Sequence, residues 1–82
     1  MSAPLPAVAY KLLDSYTRIQ AYYWVHEDCE LWLNRGDFEA IGAYDGAQLF
    51  ALPVHATNAL PSGEAAVFDR VRMEYLRDPA PV

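Results

Sequence analysis

Residues 38–54 read "FEAIGAYDGAQLFALPV", and the fold turns on how this stretch is taken. Asp45-Gly46 stands between two apolar runs, the pattern of a two-residue hairpin turn. A reversal there pairs Tyr44 with Ala47, Gly42 with Leu49, Ile41 with Phe50 and Glu39 with Leu52. One face then carries Phe38, Ala40, Gly42, Tyr44, Ala47, Leu49 and Ala51, and the other Ile41, Ala43, Phe50, Leu52 and Val54. Neither face is polar, whereas a solvated face alternates with polar residues. Both faces are therefore expected to be covered, by two helices or by one helix and a second copy of the chain.

Upstream, "ELWLN" (30–34) reads as a strand with Leu31 and Leu33 on one face and Trp32 on the other. "NRGD" (34–37) reads as a turn around Gly36. The RGD triplet carries too little information to suggest adhesion. Further upstream, Leu5, Val8, Leu12, Tyr16, Ile19 and Tyr23 recur at three- and four-residue steps, predicting a helix over 5–25. Residues 17–25 also alternate as a strand would, but the helical spacing runs on unbroken. Pro4 and Pro6 fit its first turn, and Asp14 precedes Arg18 by four, the favourable order for a surface pair. Downstream, Ser62 is placed to cap a helix over 63–76, with Ala65, Phe68, Val71, Tyr75 and Leu76 as its apolar stripe.

The predicted fold is α+β: a long N-terminal helix, a three-stranded antiparallel meander and a C-terminal helix. At 82 residues and 54% hydrophobic composition, the chain is one small domain spanning 1–82, with 1–4 and 78–82 expected to fray. The start "MSAPLPAVAYK" lacks the charge and apolar block of a secretory signal, and Cys29 has no intrachain partner. Both point to a cytoplasmic location.

Net charge is −5, and all of it lies between His26 and Gly46, where Glu27, Asp28, Glu30, Asp37, Glu39 and Asp45 face only Arg35. Such a segment repels nucleic acid and anionic membranes and attracts basic surfaces. It also serves the simpler end of keeping an apolar domain soluble. Eleven residues are Phe, Tyr or Trp, and Tyr22 and Trp24 fall off the helical stripe while Trp32 opposes Leu31 and Leu33. Aromatics with a polar tip are enriched where proteins meet.

Catalytic patterns are weak. His26 and Cys29 have the H-x-x-C spacing of half a zinc site, but a structural site needs four ligands, and His55 with an acid is the only visible supplement. Glu27, Asp28 and Glu30 disfavour a thiolate at Cys29. Paired acids such as Asp37 and Glu39, or Glu27 and Glu30, have no evident cleft. The chain carries no phosphate-binding glycine loop and no nucleophile elbow. No cofactor or metal is expected.

The expected function is thus a non-enzymatic acidic protein-binding module that self-associates or engages a basic partner, in a sharper form an inhibitor of a nucleic-acid-handling protein. Its contact residues would be Glu27, Asp28, Glu30, Trp32, Asp37, Glu39, Tyr22 and Trp24. The alternatives are a structural subunit of a larger assembly, or a metal or thiol enzyme centred on His26, Cys29 and His55.

Overall fold

The computed structural model describes residues 6–79. Pro6, extended at φ −62° and ψ 151°, leads into helix α1 (Ala7–Tyr22). Leu12, Ser15, Tyr16 and Ile19 form its buried stripe. The helix stops three residues short of the expected end, because Tyr23 turns extended at φ −127° and ψ 147°. Residues 17–22 are therefore helix, and the aromatic run after them leads into the sheet.

Strand β1 (Cys29–Asn34) follows with strictly alternating burial. Cys29, Leu31 and Leu33 are inaccessible, while Trp32 points to the opposite face as the sequence predicts. Burying each such leucine contributes roughly 1.5–3 kcal/mol.

The next segment departs from the sequence prediction. Asn34 is a helix cap, its side chain accepting a hydrogen bond from the Asp37 amide at 3.2 Å. "RGDFEA" becomes the short helix α2 (Arg35–Ala40), which packs Phe38 and Ile41 against the core. Asp45-Gly46 does turn the chain, with the Ala47 amide donating to the Tyr44 carbonyl at 2.9 Å and Gly46 at φ 90°. That turn sits in the connection after α2 and does not join two strands.

The hairpin lies farther on, between β2 (Gln48–Leu49) and β3 (Leu52–Thr57). Leu49 pairs with Leu52, leaving Phe50 and Ala51 as a two-residue loop at φ 54° and 64°. Positive φ at both central residues is the type I′ signature, normally supplied by Asn or Gly. Here packing overrides propensity: the Phe50 ring stacks on Tyr16 of α1 with centroids 4.6 Å apart.

The predicted C-terminal helix is absent. Residues 63–76 contain instead β4 (Ala65–Asp69), which pairs antiparallel with β1, and β5 (Glu74–Arg77), which pairs antiparallel with β4. Asp69 accounts for the reversal. Its carboxylate accepts from the Val71 and Arg72 amides at 2.9 and 3.1 Å, and its carbonyl accepts from the Met73 amide at 2.7 Å. Ser62 caps no helix; its hydroxyl donates to Asp37 at 2.6 Å.

The sheet is therefore five-stranded and mixed, in the order β2-β3-β1-β4-β5, rather than a three-stranded meander. β1 is central and runs parallel to β3, with Leu31 beside Val54. Both helices lie on one face, where Leu12, Ile19, Leu31, Leu33, Val54 and Val67 form the core. Arg18 does not take Asp14 as its ion-pair partner. It makes a bidentate pair with Asp78 at 2.8 to 3.1 Å, and Ser15 adds a 2.8 Å bond to the same carboxylate. Asp78, expected in a frayed tail, is thus buried and tied down. Residues 1–4 lie outside the described residues, as do 80–82.

Candidate functional site

The second face of the sheet has no helix over it among the described residues. Register decides what it carries. Glu30, Phe68 and Tyr75 are aligned across β1, β4 and β5; His55, Trp32, Ala66 and Arg77 are aligned across β3, β1, β4 and β5. Side chains on one row of a sheet stand close enough to interact. Trp32 stacks on His55 at 4.8 Å, and Phe68 tilts against Tyr75 at 4.7 Å. His55 Nε2 meets Glu30 Oε2 at 3.1 Å, and Arg77 meets Glu64 at 2.7 Å. Glu30 and Arg77 on this face thus each have a polar partner.

Between the Trp32 and Tyr75 rings lies a hollow of about 320 Å³, floored by Ala66 and closed by Thr57, Leu60 and Arg77. Trp32 Nε1 is buried with no acceptor. A buried unpaired donor costs roughly 1–3 kcal/mol. Among the described residues it is the one buried side-chain nitrogen or oxygen left unpaired.

A second cluster sits at the opposite end of β1 from α2. The Cys29 amide donates to the His26 carbonyl at 3.1 Å, closing the "HEDC" turn. Cys29 and Asp69 are cross-strand partners, and both are buried. His26 reaches over them, with Nε2 3.1 Å from Asp69 Oδ1. Its Nδ1 accepts from the Asp28 amide at 3.2 Å, so in the neutral ring Nε2 carries the proton and donates to Asp69. The two turn amides and His26 hold the Asp69 carboxyl below its ordinary range, against the opposing effect of burial. Burial, and then the nearby carboxylates, push the Cys29 thiol up, while the His26 backbone N–H facing the sulfur opposes the rise. A buried, protonated thiol is not a nucleophile.

The expected contact residues scatter over these surfaces. Trp32 and Glu30 lie on the uncovered sheet face, Glu30 paired with His55. Tyr22 and Trp24 are 73% and 80% exposed at the end of α1, with Trp24 over His26 at 5.0 Å. Glu27, Asp28 and Glu39 are exposed. Asp37 is buried, and its two oxygens accept from Ser62 and the Gly63 amide, so it holds the 62–63 loop rather than facing a partner. Glu27 and Asp28 precede β1, whereas Glu39 follows it on α2. With Asp37 buried and Glu30 paired, the acids of this segment do not all face solvent.

His26 and Cys29 do come together, but with Asp69 and not His55. The helical reading of 63–76 hid the cross-strand pairing of Phe68 with Tyr75 and of Ala66 with Arg77, and no alternation in this stretch signals it. Comparison with protein-family models, with curated proteins and with solved structures finds no match for this chain.

Proposed function

We propose that this domain is a non-enzymatic protein-binding module whose docking surface is the uncovered face of its sheet. The observation that carries this is the aromatic hollow lined by Trp32, Tyr75 and Arg77 on that uncovered face, beside an indole whose Nε1 is buried and unpaired. A partner that inserts an apolar side chain fills the hollow, and a small shift of the Trp32 ring on binding would bring Nε1 to an acceptor. Trp, Tyr and Arg are the residue types enriched at binding hot spots, and Trp32, Tyr75 and Arg77 stand around one cavity.

The partner is another protein, and a second copy of this chain is one form it takes. β5 is an edge strand carrying exposed Tyr75, so a sheet continued across it extends the aromatic row. The narrower idea, an acidic segment seated in a basic groove as an inhibitor, draws less support, because Asp37 is buried and Glu30 is paired.

The test is affinity purification from the native cell with tagged wild type and a Tyr75→Ser variant, beside sedimentation of each over a range of concentrations. Tyr75 is 58% exposed, so its loss should leave the fold intact. A stoichiometric partner, or a concentration-dependent dimer, that weakens in the variant supports the proposal. A wild-type monomer that recovers nothing, or recovery equal in both, counts against it.

A further inference from the structure

We propose that His26, Cys29 and Asp69 form a three-ligand site for a borderline-soft divalent cation of the zinc type, with its fourth position open to the cleft beside Trp24. The sequence shows only two ligands in H-x-x-C spacing. The fold supplies the third, because the β1–β4 register sets Asp69 directly across from Cys29. One nitrogen, one sulfur and one oxygen donor lie within 4.8 Å of one another. Around a tetrahedral ion with bonds of about 2.0–2.3 Å, neighbouring donors sit ~3.3–3.8 Å apart. Closing the set therefore needs a shift on the order of 1 Å in the widest pair.

Two independent features point to a ligand. Cys29 and Asp69 are both nearly inaccessible, and the three hydrogen bonds to the Asp69 carboxylate all end on Oδ1, leaving Oδ2 for another partner. His26 and Asp69 also line a cleft of about 570 Å³ walled by Trp24, Val71 and Arg72, which gives an ion and an exchangeable water a route to them, with Cys29 buried behind. Asp28 and Glu27 line the same cleft and favour a cation over an anion there.

The proton balance is simple. The thiol loses its proton to water as sulfur binds the ion. His26 keeps one proton, but it moves from Nε2 to Nδ1, freeing the Nε2 lone pair for the ion. The Asp28 amide then gives up its 3.2 Å bond to Nδ1 and turns to water, to which Asp28 is already exposed.

The experiment uses full-length protein stripped with a chelator and titrated with cobalt(II), then with zinc(II). Expected are one ion per chain, a thiolate-to-cobalt absorption band that zinc abolishes, release of one proton and a rise in melting temperature. Cys29→Ala should remove the band and weaken zinc binding by at least ~100-fold. Because Asp69 also holds the β4–β5 turn, Asp69→Asn is read by circular dichroism alongside the titration, and Cys29→Ala carries the decision if that variant unfolds. No cobalt–thiolate band in wild type, or equal zinc affinity in Cys29→Ala, overturns the site.

Discussion

Ser15 shows how much one small side chain can organise. It is inaccessible on α1, donates to Asp78 at 2.8 Å and accepts from the Ala65 amide at 3.0 Å. One hydroxyl thereby joins the helix, the start of β4 and the residue after β5. Ser15→Ala leaves a buried amide and a buried carboxylate oxygen each one bond short, so it should cost ~1–3 kcal/mol in a denaturant titration. A loss below a few tenths would contradict these bonds. Asp69 makes a pH-dependent contribution of definite sign. Its folded pKa lies below the unfolded value, so its stabilisation is complete above about pH 4 and drains away as pH falls through the folded value. In metal-free protein, the acid limb of stability against pH should flatten in Asp69→Asn; an unchanged limb would deny the shift.

At the scale of elements, the β2–β3 turn holds two L-residues in the left-handed region, where each costs roughly 1–2 kcal/mol. Phe50 is compensated by its stack on Tyr16, but Ala51 is exposed. Ala51→Gly should therefore raise stability by ~0.5–1 kcal/mol, while Phe50→Gly should lower it. Loss of stability in Ala51→Gly would place the turn elsewhere. This turn also explains why the sequence misled. Asp45-Gly46 carried the strongest turn chemistry in the chain, and the tighter reversal went to Phe50-Ala51, which carries none. α1 and β1 were legible because their apolar periods are clean over enough residues. α2 and β2 are too short to show a period. Residues 63–76 scored as a helix because Phe68, Val71 and Tyr75 recur at helical spacing. In the structure that spacing is an accident of a hairpin, which places Phe68 and Tyr75 opposite each other and leaves Val71 in the turn.

For the whole molecule, the consequence is asymmetry. Both helices sit on one face of a five-stranded sheet, and the other face keeps an aromatic row, a His55–Glu30 hydrogen bond, an Arg77–Glu64 ion pair and an unmet indole donor. The sequence marks Trp32 as a candidate contact aromatic, but its run of acids draws the greater weight. A run of like charge is visible in sequence, whereas the pairing of Glu30 and the burial of Asp37 belong to the fold. The most direct measurement compares the affinity of the captured partner, or of the self-dimer, for two sets of variants. Trp32→Phe and Tyr75→Ser alter the open face; Glu27→Lys with Asp28→Lys reverses the exposed acids. The account predicts at least ~10-fold weaker binding for the first set, less than ~3-fold change for the second, and little response to added salt. Binding indifferent to Trp32 and Tyr75 but abolished by charge reversal would contradict it.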